Sequence, residues 1–169
     1  MKGRAPGLFT LLGAENPHML STKLVQLIEN NWEEIANRLI AEVKKHPDLR
    51  TLASRPDLEL REWCQDILQN LGPLLSAKKD EEMQKRFEVL GKVRFEENVP
   101  LHEAILRFQL FKDKIFGFIH EQGFPMSAMQ LYAEEELEHR IGRFFDACVY
   151  HMVRGYEYAL RVQGRLATA

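Results

Sequence analysis

The chain has 169 residues, of which 45% are hydrophobic and 28% are charged, and its formal net charge is −2. A chain of this length buries about 70% of its unfolded surface, which is enough for one core. With 10 glycines and 7 prolines, the composition is that of an ordinary globular protein and excludes a disordered or fibrous one. The slight negative charge provides no field that attracts nucleic acid or an anionic membrane, so we expect neither as a partner.

Residues 1–20 are predicted to form an N-terminal extension to a single helical domain over residues 21–169. The extension carries a short apolar patch from Leu8 to Leu12. This patch is too short for a secretory signal, and the sequence has no run of about 18 apolar residues that would cross a membrane. We therefore expect a cytoplasmic protein.

The first half of the domain predicts two amphipathic helices. Apolar residues at three- and four-residue steps predict a helix from about Ser21 to Lys45, with cations in its last turn where the helix dipole favours them. A second helix begins near Ser54 or Asp57, and Gly72-Pro73 bends or ends it.

A third and a fourth helix follow. Asp80 is a plausible N-cap for the third, which stops between Glu96 and Pro100. Pro100 suits the first turn of the fourth helix, because its missing N–H would be unpaired there in any case. From Leu101 to Ile119, apolar residues occur on almost every side of this fourth helix, so we expect it to be the most buried of the five.

The fifth helix is unusually long. It opens near Ser127 and can run to about Arg165 without a proline. At 1.5 Å per residue it spans about 60 Å, which exceeds the size of the globule. The helix must therefore project from the globule or pack against a partner. An alternating three-four spacing of the kind used in helix-helix seams predicts a homodimer through seven residues of this helix. These are Leu137, Ile141, Phe144, Cys148, His151, Gly155 and Tyr158.

These elements predict an all-α fold, a five-helix globin-like bundle with a long C-terminal helix. The two cysteines, Cys64 and Cys148, belong to no metal-binding or redox motif and lie among apolar neighbours, so buried free thiols are expected.

Six histidines raise the question of a metal or haem. Glu136 and His139 form a Glu-x-x-His unit of the type found in di-iron bundles, but its other copy, Glu15 to His18, contains a proline. His120 and His151 are the candidates for a haem ligand. Each of these groups is more simply a solvated or seam residue, and we expect no metal site and no cofactor; a haem- or di-iron-binding protein remains an alternative.

The sequence predicts no catalytic residues, since its acidic residues occur in runs and it has neither a nucleophile elbow nor a phosphate-binding glycine loop. We expect a protein that is not an enzyme. Aromatic residues of the fourth and fifth helices would lie near any ligand pocket, although core packing explains them equally well. The residues predicted near such a pocket are Phe108, Phe111, Ile115, Phe144 and Tyr150.

Four segments in this order resemble the RsbRD N-terminal domain family. They are Leu27 to Ala36, Leu71 to Leu75, Arg94 to Glu103 and Lys112 to Phe116, and the resemblance extends over roughly Leu24 to His151. It implies a globin-like sensor domain without haem, related to N-terminal modules of stressosome co-antagonists and of some bacterial histidine kinases. In such proteins the last helix leads to an output domain. This chain ends at Ala169 without one, so we expect either an excised sensor domain or a stand-alone relative whose output is made by a partner protein.

The resulting functional hypothesis is a sensory or regulatory dimer that responds to a small-molecule ligand or a protein partner. Such an input must favour one packing of the fourth and last helices over another. A protein-protein adaptor without a ligand is the second alternative.

Overall fold

The computed structural model describes residues 17–76, 80–123, 125 and 127–167, which form eight helices. No strand occurs in these residues, so the all-α prediction is confirmed together with its long C-terminal helix. In chain order the helices are α1 (Pro17–Asn30), α2 (Trp32–Lys45), α3 (Arg50–Ala53), α4 (Asp57–Leu68), α5 (Leu71–Leu75), α6 (Asp80–Glu96), α7 (Leu101–Glu121) and α8 (Ala128–Ala167).

Eight helices replace the predicted five because two of the five are divided and one short turn is added. The predicted helix over 21–45 is interrupted at Asn31, whose side-chain Nδ2 donates to the Leu27 carbonyl at 2.7 Å and competes with the helical ladder. The predicted second helix is divided into α4 and α5. The helix α1 begins at Pro17, inside the predicted extension, and residues 1–16 lie outside the described residues.

The ends of the later helices follow the predicted signals. The Ser127 hydroxyl accepts a hydrogen bond from the Gln130 N–H at 3.1 Å and caps α8. The helix α6 ends at Glu96, and Asn98, two residues later, has a φ of 57°. There the Val99 N–H donates to the Arg94 carbonyl at 3.0 Å in a Schellman arrangement.

The helix α8 packs along α6 at a crossing where two glycines face backbone. A Cβ built on Gly155 would lie 1.9 Å from the Glu88 carbonyl oxygen, and one built on Gly91 would lie 1.9 Å from that of Met152. The close approach of the two backbones therefore requires glycine at both positions. Beyond Ala159, α8 continues with exposed residues only, as far as its end at Ala167.

The core lies between α2, α4, α6, α7 and α8 and is rich in aromatic rings, most of which meet edge to face. Phe108 and Phe111 of α7 approach Trp63 of α4 with ring centroids 5.1 and 4.9 Å apart, respectively. Phe111 also meets Phe145 of α8 at 5.3 Å. Among the described residues, no helix is long and apolar enough to cross a membrane.

Candidate functional site

The residues predicted for a dimer seam are mostly covered by the chain itself. Leu137, Ile141, Phe144 and Cys148 are buried in the core, and Gly155 faces α6. His151 is half-buried and Tyr158 is exposed. The three-four spacing therefore describes the packing of α8 on its own domain, and the prediction of a homodimer needs a different surface.

The residues predicted near a pocket do not line a common pocket. Phe108, Phe111, Ile115 and Phe144 are packed in the core, whereas Tyr150 is 60% exposed on the outer side of α8. Phe108 borders a shallow groove between α7 and α8, but the other four are absent from its lining.

A different cleft lies between α2, α3, α4 and α7, and we call it the Arg107 cleft. A water-sized sphere can occupy about 20 Å³ of it, which is room for about one water molecule, and the empty volume of about 360 Å³ includes open solvent at the mouth. Its inner part is apolar, and charged side chains lie at its rim and at its base. The cleft is lined by Ile40, Val43, Lys44, Leu52, Ala53, Arg55, Pro56, Asp57, Glu59, Leu60 and Arg107.

Arg107 is a buried cation without a counterion. Its side chain lies on α7 with only 3% exposure, and its guanidinium carbon stacks 4.1 Å from the centroid of the Trp63 ring. The Nε and Nη2 groups of Arg107 are buried and donate to no atom of the described residues. Burial, together with the nearby charge of Arg94, lowers the pKa of Arg107 to about 9, so the group remains charged at neutral pH.

The carboxylate expected to pair with Arg107 is used elsewhere. Glu103 lies one turn earlier on α7, the spacing that normally forms an ion pair. Its buried carboxylate instead accepts the backbone N–H groups of Thr51 and Leu52 at 3.2 and 2.9 Å. Glu103 therefore anchors the start of α3, and Arg107 is left facing the cleft.

Two arginines beside Arg107 have carboxylate partners in what we call the Arg–Glu cluster, formed by Arg55, Glu59, Arg94 and Glu97, although the Nε of Arg94 is buried without a hydrogen-bond partner among the described residues. Arg55 contacts Glu59 at 2.9 Å and Glu97 at 2.8 Å. Arg94 contacts the same two carboxylates at 3.0 and 2.7 Å. Partial burial favours a higher pKa for Glu59, but hydrogen bonds from the two guanidinium groups outweigh it and lower that pKa.

The two cysteines are free and buried, as the sequence predicted. Burial raises the pKa of Cys64 to about 12, and it also raises the pKa of Cys148. Both thiols are therefore protonated at neutral pH, which makes them poor nucleophiles and poor metal ligands.

The residues considered as metal or haem ligands lie apart from one another. His120 Nε2 lies 2.6 Å from a Glu138 carboxylate oxygen, while His18 and Glu136 line one polar groove between α1 and α8. His139 is exposed, and Glu15 lies outside the described residues. Within the described part of the chain, no three His, Cys, Asp or Glu residues come together in a group that would hold a metal ion.

The sequence analysis missed Arg107, although its spacing carried a signal. Arg107 follows Ala104 by three residues and precedes Phe111 by four, so it falls on the inward side of α7. A charged residue on the buried side of a helix marks either an ion pair or a binding site. The segment from Arg94 to Glu103, one of the four that carry the family resemblance, supplies Arg94, Glu97 and Glu103 to this region.

Compared with protein-family models, with curated proteins and with solved structures, the chain matches none of them.

Proposed function

We propose that this protein is a non-catalytic regulatory domain that binds a small molecule in the Arg107 cleft and passes the change to an output protein. We place it in the cytoplasm, as a homodimer related in function to the RsbRD N-terminal domains that four of its segments resemble. The observation that carries the proposal is the unpaired Arg107 guanidinium, buried at the base of an open cleft. A buried charge without a counterion costs stability, and a buried ionisable group with a strongly shifted pKa beside a cleft is a candidate for a functional site.

A path of contacts leads from the cleft to the last helix. The Arg–Glu cluster beside the cleft includes Arg94 and Glu97, which lie at the end of α6. Two residues further on, the Val99 carbonyl accepts a hydrogen bond from the Tyr156 hydroxyl of α8 at 2.9 Å. A ligand that moves the guanidinium groups would therefore shift the α6–α7 junction, and with it the part of α8 that follows Tyr156.

The end of α8 supplies a surface for the output step. Leu160, Val162 and Leu166 are exposed there, in the stretch of α8 after Ala159, where every residue through Ala167 is exposed. Exposed apolar residues on a projecting helix are typical of contact surfaces. We assign the homodimer contact and the output partner to this stretch, in place of the buried seam residues.

The test is hydrogen exchange of the full chain with three probes of equal chain length: butyrate, butyramide and butylamine. Binding of any one of them should protect the amides of α3, α4 and the middle of α7, and should change exchange in α8 after Tyr156. The variant Ala53→Phe fills the cleft and should abolish the effect, because Ala53 lines it. The control Ala41→Phe places the same ring on an exposed site of α2.

Two results would contradict the proposal. One is that none of the three probes protects the cleft in the unmodified chain. The other is that protection persists in Ala53→Phe, which would place the binding site elsewhere.

A further inference from the structure

We infer that the ligand of the Arg107 cleft is a small carboxylate with one negative charge and a short apolar chain. The inference rests on the proposed function, since it names the chemical class that the same cleft would take.

The charge of the ligand follows from the pairing of the residues around the cleft. Lys44 pairs with Asp57 at 2.7 Å at the rim. Arg55 and Arg94 are paired within the Arg–Glu cluster. Arg107 is the one cation of this group without a carboxylate, so a single negative charge completes it. A dianion would bring an excess charge close to Asp57 and Glu59, which also line the cleft.

The shape of the donor favours a carboxylate. The two unpaired nitrogens of Arg107, Nε and Nη2, share one edge of the planar guanidinium. Such an edge matches the two oxygens of a carboxylate in a pair of parallel hydrogen bonds. Stacking on Trp63 holds the guanidinium plane in a fixed orientation, which reduces the entropy lost when a ligand binds.

The rest of the cleft favours a short apolar chain. Ile40, Val43, Leu52 and Leu60 line the same cleft as Arg107 with alkyl groups. A water-sized sphere finds only about 20 Å³ to occupy in the cleft, so a chain of even a few carbons enters only if the lining side chains move apart, which favours a short chain. Each methylene that enters such a site should tighten binding by up to about fourfold, until the cleft is full.

The experiment is a calorimetric titration of the full chain with acetate, butyrate, hexanoate, butyramide, butylamine and inorganic phosphate. We expect butyrate to bind more tightly than acetate, and at least tenfold more tightly than butyramide or butylamine. Arg107→Met should weaken butyrate binding tenfold or more, and Arg107→Lys should weaken it less, because one ammonium group attracts the charge without matching both oxygens. Arg161→Met, on the exposed end of α8, is the matched control and should bind like the unmodified chain.

Several outcomes would overturn the inference. Equal binding of butyramide and butyrate, or full butyrate affinity in Arg107→Met, would remove the role of the charge. Binding of phosphate without binding of butyrate would show that the ligand needs no apolar chain. In these cases the cleft still binds small molecules and the proposed function stands. If no probe binds, both the inference and the proposed function fail. If Arg107→Met does not fold, the probe series on the unmodified chain and the binding of butyrate to Arg107→Lys test the inference instead.

Discussion

Arg107 costs the protein stability for as long as the cleft holds no anion. Its guanidinium is removed from water, and the π faces of Trp63 and Phe108 offset part of that loss. Cys64, buried nearby, carries no charge at neutral pH, since its pKa is raised to about 12. Its Nε and Nη2 groups have no hydrogen-bond partner among the described residues, and the nearby charge of Glu59 favours the cation without binding it directly.

Replacing Arg107 with Met should therefore stabilise the protein. We expect the free energy of unfolding to rise by about 1 to 4 kcal/mol, as when other buried charges are exchanged for apolar groups of similar volume. Urea denaturation at neutral pH measures this. Arg161→Met, at an exposed pair, should change it by no more than about 0.5 kcal/mol. A less stable Arg107→Met protein would mean that the charge already has a stabilising partner.

Glu59 makes stability depend on pH in the acid range. Its pKa is lowered in the folded protein, so the carboxylate contributes stability that is fully present above its ordinary value of 4.5. This contribution is lost as the pH falls through the lowered folded value. Glu59→Gln should therefore flatten the loss of stability below pH 4.5, as followed by urea denaturation at several pH values.

The control for this prediction is Glu157→Gln, which removes a carboxylate from an exposed pair with Arg161 on α8. It should keep the pH profile of the unmodified chain. An unchanged profile in Glu59→Gln as well would show that the Arg–Glu cluster is not what makes the protein sensitive to acid.

At the scale of elements, the crossing of α6 and α8 is the most constrained feature. Gly155→Ala places a methyl group 1.9 Å from a backbone oxygen, which no side-chain rotation relieves. We expect the two helices to separate and the free energy of unfolding to fall by about 2 to 4 kcal/mol. Thermal and urea denaturation measure the change.

Gly142→Ala is the matched control, because Gly142 lies on the same helix and a Cβ there meets nothing within 4 Å. It should be neutral or stabilise α8 by up to about 1 kcal/mol, as expected for alanine in a helix. Equal effects of the two substitutions would show that helix propensity, rather than close packing, governs both positions.

The elements were predictable where one local signal decides them. Ser127 caps α8, and the chain turns between Glu96 and Pro100, as the sequence indicated. The break at Asn31 was missed, because hydrophobic spacing continues across it and only the Asn31 side chain interrupts the ladder. The seam was misassigned for a related reason. A three-four pattern records that a helix is buried, but not whether its neighbour belongs to the same chain.

The cleft was harder to predict than the elements. It depends on Glu103 binding the start of α3, more than 50 residues away in sequence, in place of the neighbouring Arg107. Periodicity places both residues on the inner side of α7, yet it gives no information on which partner each one finds. Phe108, Phe111 and Phe144, which were expected near a pocket, fill the core instead, as aromatic residues at helical spacing usually do.

At the scale of the whole molecule, the exposed end of α8 allows assembly to be tested without disturbing folding. Deleting residues 160–167 removes only exposed positions, whereas a cut after Tyr150 would also remove Met152 and Gly155 from the core. The shorter deletion should leave the melting temperature nearly unchanged and shift a dimer to a monomer in native mass spectrometry and sedimentation. A dimer that survives this deletion would place the contact on another face.

Tyr156 tests whether the cleft and the end of α8 are coupled. Tyr156→Phe removes the hydroxyl that donates to the Val99 carbonyl and keeps the ring that packs edge to face on Phe95, with centroids 5.4 Å apart. The free energy of unfolding should fall by about 1 kcal/mol. Binding of a probe in the cleft should persist, because Tyr156 does not line it.

The change in hydrogen exchange that this probe causes in α8 after Tyr156 should shrink by half or more. Tyr158→Phe is the control, since that exposed ring has no such bond to the junction among the described contacts. Two sites are coupled only through an element whose state both of them bias. A full response of α8 in Tyr156→Phe would therefore show that the change reaches α8 by another route, most directly through the packing of Phe111 on Phe145.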